Sequence, residues 1–117
     1  VDGLAQMADA LRSAVHSGAQ AKAWLLEHGS QDRNAAGGAS VNFMMLMGYL
    51  CGGWVMGKSA LKATQLLETG GDDPAFLKTK QVTARFYFEH LLPRTASYLA
   101  TILAGSESTM ALDAEQL

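Results

Sequence analysis

Apolar residues recur with the period of an α-helix along the first quarter of this 117-residue chain. In the segment Gly3–His28, the residues Leu4, Leu11, Gly18 and Leu25 follow one another every seven positions. Met7, Ala8, Val15 and the stem of Lys22 lie beside this stripe. A stripe with this spacing is typical of a helix that buries one face.

A second apolar segment follows a polar and glycine-containing stretch, Gly29–Ser40, which predicts a linker. The second helix is expected to begin between Asn34 and Val41 and to end at about Glu68. Its expected buried face consists of Phe43, Met47, Leu50, Trp54, Leu61 and Leu67.

The third helical segment is expected to run from Asp73-Pro74 to Gly105. Its stripe consists of Leu77, Lys80, Ala84, Tyr87, Leu91, Thr95, Tyr98 and Ile102. Pro93 has no amide proton and clashes with the preceding turn, so a kink or short break is expected there. The tail segment Ser108–Leu112 is predicted to form a short fourth turn of helix.

Capping residues mark the ends of these segments. Asp2 is a predicted N-cap, and Gly29 is a predicted residue just beyond the first helix. Gly70-Gly71 ends the second segment, and Asp73-Pro74 places an N-cap before a proline at the first helical position. The chain 1–117 is therefore predicted to be a single all-α domain, an antiparallel bundle of three long helices.

The window Val41–Gly57 is the most hydrophobic part of the chain and carries no charge. Gly48/Gly52 and Gly53/Gly57 are each spaced as in GxxxG. A membrane span is one interpretation, although the window is at the short end of the required length. An oligomer interface is another. The favoured interpretation is a central helix buried on most sides, in which the glycines allow close approach of neighbouring backbones.

Charge and composition exclude several classes of protein. The net charge is −2, with nine Lys and Arg scattered along the chain, so the basic stripe of a nucleic-acid-binding protein is absent from the sequence. The single cysteine allows no intrachain disulfide, and a cytoplasmic location is therefore expected. No signal peptide is visible, and the first residue is Val1 rather than Met, which suggests an excised part of a larger protein.

Catalytic chemistry has few candidates in the sequence. His16, His28 and His90 are far apart, and no Glu lies three residues before a His, so the di-iron and HExxH patterns do not occur. These histidines are expected at the surface or at caps. Catalytic, cofactor-binding and metal-binding residues are all predicted to be none in this chain.

Five other side chains have a structural and a functional interpretation. Cys51 is expected to be a buried, inert thiol, since its sequence neighbours supply no base or positive charge. Arg85 and Glu89 are expected to form an exposed i,i+4 ion pair, or to contact another domain of a larger protein. Trp24 and Trp54 are expected in the core or at an interface.

The residues Gly52–Ser59, GGWVMGKS, match the phosphate-binding pattern GxxxxGK[ST]. A functional loop of this type follows a β-strand and opens a helix. This match instead lies inside a helical segment, so nucleotide binding is not predicted.

Residues Val41–Leu112 resemble the extra C-terminal helical domain of one branch of the acyl-CoA dehydrogenase-like flavoenzymes. The matching stretches are VNFMMLMGYLCGGWVMGKSAL and DDPAFLKTKQVTARFYFEHLLPRTASYLATILAGSESTMAL, and ARFYFEHLLP is the most specific part. Gly3–His28 fits as a generic amphipathic helix.

The resemblance implies a parent enzyme that uses FAD to oxidise the α,β bond of an acyl-CoA substrate. Its catalytic glutamate and flavin motifs would lie in a catalytic body outside this chain, and no position here matches them. The implied role is structural: packing on the catalytic body, covering the acyl-CoA or flavin region, or supporting a homo-oligomer. The alternative is a stand-alone helical dimerisation or binding module unrelated to flavoenzymes.

Overall fold

The computed structural model describes residues 2–117, with side chains from Gly3 onward, and the predicted N-cap side chain of Asp2 lies outside the described part. The helices are α1 (Asp2–His28), α2 (Arg33–Glu68), α3 (Pro74–Phe86) and α4 (Arg94–Leu103). A π-helical turn, Tyr87–Leu91, joins α3 to α4, and a 3₁₀ turn, Ala114–Gln116, lies near the end. Among residues 2–117 there is no strand, which confirms the all-α prediction.

The bundle is antiparallel and elongated, with extents of 66 × 28 × 19 Å. Gln81 of α3 donates a hydrogen bond to Thr64, and Arg94 of α4 donates one to Tyr49, which lies fifteen residues before Thr64 on α2. The α3–α4 segment therefore runs antiparallel to α2. α1 also contacts α2, and its Gly18 lies opposite Leu46 and Leu50. The 36-residue α2 is therefore the element on which the others pack.

The start of α2 differs from the prediction. Asp32 caps it by accepting a hydrogen bond from the Asn34 amide at 2.9 Å. Gly37 and Gly38 are helical rather than part of a linker, and the connection is only Gly29–Asp32. Burial of Ala35 and Ala39 against the bundle explains why this glycine-containing stretch is helical.

The start of α3 confirms the capping prediction. Asp73 adopts a left-handed conformation, with φ of 55°, and its carboxylate accepts a hydrogen bond from the Phe76 amide at 3.1 Å. Pro74 follows as the first helical residue. At the other end, the expected helix over Ser108–Leu112 is a turn instead, and the short 3₁₀ turn comes at Ala114.

The break near Pro93 is confirmed, and the structure adds a π-helical turn before it. The Leu92 amide donates to the Tyr87 carbonyl, five residues back, at 2.9 Å. Because proline clashes with the preceding turn, a widened turn fits there. The extra residue places Phe88 and Leu92 in the core, whereas the predicted Tyr87 and Leu91 are only half-buried.

The core has two parts along the bundle. The first part lies where α1, α2 and α4 meet and consists of Ala21, Ala39, Leu46 and Ile102. Ala14, Phe88 and Leu92 form the other, around the π-helical turn. Helix burial of this kind is worth about 1.5–3 kcal/mol for each large apolar side chain, so these two clusters hold the bundle together.

Two of the four glycines in the apolar window, Gly52 and Gly53, permit close packing inside the domain. A Cβ at Gly52 would collide with the Tyr87 hydroxyl, and one at Gly53 would come 2.8 Å from Leu92 Cδ1. A Cβ at Gly57 would contact Phe88 at 3.5 Å. The adjacent Gly52 and Gly53, rather than either GxxxG pair, thus allow the π-helical turn to lie close to α2.

We expect Gly52→Ala to destabilise the domain by about 1 kcal/mol or more, since overpacking outweighs the gain in helix propensity. The free energy of unfolding is measurable by urea titration with circular dichroism. Gly38→Ala is the control: a Cβ there meets nothing within 4 Å among the described residues, and the variant should gain up to about 1 kcal/mol. Equal effects of the two substitutions would contradict the packing.

The Tyr87 hydroxyl donates a hydrogen bond to the Tyr49 carbonyl at 2.8 Å. Partial burial, with smaller contributions from Tyr49 and Cys51, raises the pKa of Tyr87 above its ordinary value of 10.0. Because the pKa of Tyr87 is higher in the folded than in the unfolded state, this residue contributes fully to the free energy of unfolding below pH 10.0. The contribution is lost as the pH rises through the folded-state pKa.

Tyr87→Phe should therefore lower the free energy of unfolding by about 1 kcal/mol at neutral pH, because one hydrogen bond is lost. The difference between the variant and the parent sequence should shrink above pH 10.0, since only the parent loses stability through this titration. Urea unfolding at a series of pH values measures both. A difference that stays constant into the alkaline range would contradict the assignment.

Candidate assembly surfaces

The three histidines lie apart from one another. His16 and His90 are exposed, and the half-buried His28 stacks on Trp24 with ring centroids 4.6 Å apart. His28 Nδ1 lies 3.0 Å from the Trp24 carbonyl oxygen. Among the side chains that the structure describes, Gly3–Leu117, no three of His, Cys, Asp or Glu are placed to share a metal ion.

Cys51 is exposed, so the prediction of a buried thiol is wrong. It lies on the side of α2 that faces away from the other helices, whereas the adjacent Gly52 and Gly53 face them. An apolar sequence neighbourhood indicated burial, but the burial of a helical residue depends on which faces other helices cover.

Trp54 and Leu61 were also expected in the buried face of α2, and this is wrong. The Trp54 side chain is 57% exposed, and Leu61 is nearly as accessible. Only 17% of the most apolar 18-residue window of α2 is buried. The favoured interpretation of a helix buried on most sides is therefore wrong, because three packing helices cover only one side of it.

With 36 residues and a mean hydropathy of 1.3, α2 is long and apolar enough to cross a bilayer. Core helices of soluble proteins meet the same two criteria, so this is weak evidence for a membrane span. The absence of a membrane span remains a prediction from the sequence.

The GxxxxGK[ST] match lies wholly within the continuous helix α2. Lys58 Nζ lies 4.4 Å from the centre of the Trp54 ring, and the Ser59 hydroxyl donates to the Val55 carbonyl at 3.1 Å. A phosphate-binding loop needs free backbone amides and a lysine aimed at the ligand. These residues provide neither, since the amides belong to the helix and the lysine covers an aromatic ring.

Arg85 and Glu89 form the expected i,i+4 ion pair, with Nε to Oε1 at 2.7 Å across the junction of α3 and the π-helical turn. The hydrogen bond to Arg85 lowers the pKa of Glu89, and the same bond raises the pKa of Arg85. Both side chains are exposed, so solvent screens the pair and it adds little to stability.

A polar cluster that the sequence did not predict surrounds Tyr49. Arg94 Nη1 donates to the Tyr49 hydroxyl at 2.9 Å, and the Tyr49 and Tyr98 rings stack with centroids 5.9 Å apart. Tyr49 and Arg94 are 45 positions apart, so no local pattern in the sequence could reveal this contact. The cluster fixes the register of α4 on α2.

Three open grooves surround the first two turns of α1. We call them the α1 grooves, and their volumes are about 270, 440 and 290 Å³. Met7 lines all three, and Leu4 lines two of them. The other walls of these grooves include Val82, Arg85, Glu89, Trp54 and Leu61. At this end α1 and α3 both pack on α2 but scarcely on each other, which leaves the grooves open.

A second apolar surface runs along the outside of α2. We call it the outer α2 face; it consists of Val41, Met44, Gly48, Cys51 and Val55, all exposed. Successive members are three or four residues apart, so they lie in one row on the helix. Hydropathy alone does not reveal this surface, because every apolar position of α2 is equally a candidate for the internal core.

Comparison with known proteins identifies the family. Residues 1–113 match the family described as acetyl-CoA dehydrogenase C-terminal like. The chain is 39% identical over 86 residues to the 3-methylmercaptopropionyl-CoA dehydrogenase of Ruegeria pomeroyi. The match covers 74% of this chain but only 14% of that relative.

This chain belongs to the acetyl-CoA dehydrogenase C-terminal-like family. The resemblance inferred from Val41–Leu112 is confirmed, and it extends over the first helix as well. The alternative of a helical module unrelated to acyl-CoA dehydrogenases is therefore wrong.

Because Cys51 is exposed, we expect a water-soluble thiol reagent to label the folded chain rapidly at low micromolar concentration. The rate should be within about tenfold of that for the urea-unfolded chain, since no helix covers the thiol. Absorbance of the released chromophore measures the rate. Labelling that requires prior unfolding would contradict the placement of Cys51.

Proposed function

We propose that this chain is the non-catalytic C-terminal helical domain of an FAD-dependent acyl-CoA dehydrogenase-like enzyme, and that it packs on the catalytic body of that enzyme. Membership of the family supports the first part. The relative, the 3-methylmercaptopropionyl-CoA dehydrogenase, is about seven times longer than the matched segment, which leaves room for a catalytic body.

The chemistry is assigned to the catalytic body because the described side chains form no built site for a flavin. Over Gly3–Leu117, every fully buried side-chain nitrogen or oxygen already has a hydrogen-bond partner. A flavin also needs polar groups that converge on its ring and pyrophosphate. The α1 grooves offer mostly apolar walls, so FAD and the acyl-CoA substrate are proposed for the parent enzyme outside this domain.

The α1 grooves are the proposed contact with the catalytic body. The exposure of apolar side chains in these grooves is the main observation that supports a packing role. Leu4 and Met7 are only half-buried although they lie on the inner face of α1. Val82 beside them is 67% exposed. Apolar clefts with a few charged residues at the rim are typical of surfaces that another protein segment fills. Arg85 and Glu89 supply that rim.

A cytoplasmic location is part of the same proposal. The single, exposed thiol of Cys51 suits a reducing compartment, where cysteines remain unoxidised.

Val82→Lys tests the contact with the catalytic body. In the isolated chain the melting temperature should change by less than about 2 °C, because the side chain is largely exposed and surface changes are small. In the full-length parent enzyme the same change should lower the melting temperature by several degrees or release the domain to proteolysis, since a charge would be buried at the contact. Differential scanning fluorimetry and limited proteolysis measure these effects.

Leu26→Lys is the matched control, since Leu26 is 70% exposed on α1 and lies far from the α1 grooves. It should have a small effect in both proteins. If Val82→Lys behaved like Leu26→Lys in the full-length enzyme, the α1 grooves would not be the contact with the catalytic body. An upstream reading frame without a dehydrogenase body would overturn the proposal as a whole.

A further inference from the structure

We propose that Arg94 and Tyr49 form a binding site for a carboxylate group, and that Tyr98 helps to hold them in position. These are the three residues of the polar cluster around Tyr49 described above. The proposed site lies on α2 and α4 and shares no residue with the α1 grooves, so it goes beyond the proposed contact with the catalytic body.

Arg94 has hydrogen-bond donors that the described residues do not use. A guanidinium group carries five N–H donors, and Nη1 gives one of them to the Tyr49 hydroxyl. The Arg85 guanidinium is paired with the Glu89 carboxylate. No carboxylate among Gly3–Leu117 pairs with Arg94 in the same way. Arg94 therefore presents a charged group to solvent with most of its donors open.

The Tyr49 hydroxyl supplies a second donor at the same place. It accepts the bond from Arg94, so its own proton remains to be donated, and no described residue accepts that proton. Arg94 Nη1 and Tyr49 Oη are 2.9 Å apart. An oxygen atom about 2.8 Å from each of them therefore makes two hydrogen bonds of ordinary length. One oxygen of a carboxylate fits this position, while its second oxygen reaches another N–H of the guanidinium.

Contacts within the domain hold these donors before a ligand binds. The Tyr49 ring stacks on the Tyr98 ring with centroids 5.9 Å apart, and the Tyr49 carbonyl accepts the Tyr87 hydroxyl at 2.8 Å. Arg94 Cζ lies 5.7 Å from the centre of the Tyr49 ring. Side chains that are ordered in advance lose less conformational entropy on binding, which strengthens a site with few contacts.

Arg33 shows how this site differs from an ordinary unpaired arginine at the surface. It also forms no ion pair within Gly3–Leu117, but no described aromatic ring or side-chain acceptor holds its guanidinium. An arginine of that kind must give up side-chain rotamer freedom to bind an anion. Arg33 is therefore an internal control for attraction by charge alone.

Charge and shape select a carboxylate as the ligand. Arg94 is the one charged side chain of the cluster, and its single positive charge balances one carboxylate. Its planar fork also matches the two coplanar oxygens of that group. Phosphate sites commonly use several open backbone amides. The next two amides of α4, those of Thr95 and Ala96, already bond carbonyls of the preceding turn.

Titration of the chain with sodium acetate tests the site, with sodium chloride at equal ionic strength as the reference. Proton–nitrogen NMR follows the Nε–H signals of the arginines. We expect the Arg94 signal to shift along a saturating curve, with a dissociation constant on the order of 10–100 mM. The Arg33 signal in the same spectra should shift little and in proportion to the acetate concentration. Equal behaviour of the two arginines would overturn the proposal.

Two conservative variants test the geometry of the site. Arg94→Lys keeps the charge but removes the planar fork, and Tyr49→Phe keeps the ring but removes the hydroxyl donor. Backbone amide signals of α4 report acetate binding in both variants. Each change should weaken binding by about threefold or more, whereas Arg33→Gln should leave it unchanged. Circular dichroism checks that the variants remain helical.

Two results of these titrations would contradict the assignment. Acetate binding that both Arg94→Lys and Tyr49→Phe retain would leave only non-specific attraction and overturn the site. Inorganic phosphate that binds about tenfold more tightly than acetate would overturn the choice of a carboxylate.

The full-length parent enzyme distinguishes two sources of the carboxylate, a side chain of that enzyme and a free small acid. If an Asp or Glu of the parent occupies the site, Arg94→Gln should lower the melting temperature by several degrees there and by less than about 2 °C in the isolated chain. If the ligand is a free acid, acetate should raise the melting temperature of the full-length enzyme, and Arg94→Gln should remove that rise. A full-length enzyme that shows neither effect would overturn the proposal.

The acetate titration uses this chain alone, so its result is independent of the catalytic-body contact that Val82→Lys tests. Saturable binding at Arg94 together with a neutral Val82→Lys would support the carboxylate site and reject the α1 grooves as the contact. The opposite pair of results would reject the carboxylate site and leave the proposed contact standing.

Discussion

The close approach of the π-helical turn to α2 is the contact on which the rest of the fold depends. Gly52 and Gly53 leave space for Tyr87 and Leu92, and a Cβ at either position would force one of these side chains to shift. The Tyr87 hydroxyl then reaches the Tyr49 carbonyl, and Leu92 is almost completely buried. Phe88 and Leu92 of this segment belong to one core cluster, and Ile102 of α4 belongs to the other. The widened turn before Pro93 therefore sets how α4 meets α1 and α2.

This arrangement also explains why so much of α2 remains open. α1, α3 and α4 all pack on the side of α2 that carries Leu46, Gly53 and Ala60. A helix contacted from one side keeps its opposite side in solvent, whatever the residues there. The apolar character of Val41, Met44 and Val55 is therefore not explained by packing among the described helices.

Residues that act within one helical turn predicted the helices well. Which faces of those helices are buried depends on packing between helices, and the sequence predicted this less well. The start of α3 follows from Asp73 and Pro74, whose capping chemistry acts within one turn. Gly37 and Gly38 indicated a linker, but the stretch is helical because Ala35 and Ala39 are buried against the bundle. Cys51 and Trp54 were misplaced because hydropathy shows that a residue is apolar without showing which neighbour covers it. The π-helical turn changes the helical period itself, so a stripe drawn at constant period missed Phe88 and Leu92 by one residue.

The α1 grooves and the outer α2 face differ in shape and in charge. The α1 grooves are concave, lie at one end of the bundle, and have a charged rim formed by Arg85 and Glu89. The outer α2 face is a straight row, apolar at its centre and free of acidic residues from Val41 to Lys62. A concave cleft suits an inserted segment, whereas a straight row offers no comparable cleft. Since α2 contributes to both surfaces, one continuous helix connects the proposed contact with the catalytic body to the outer α2 face.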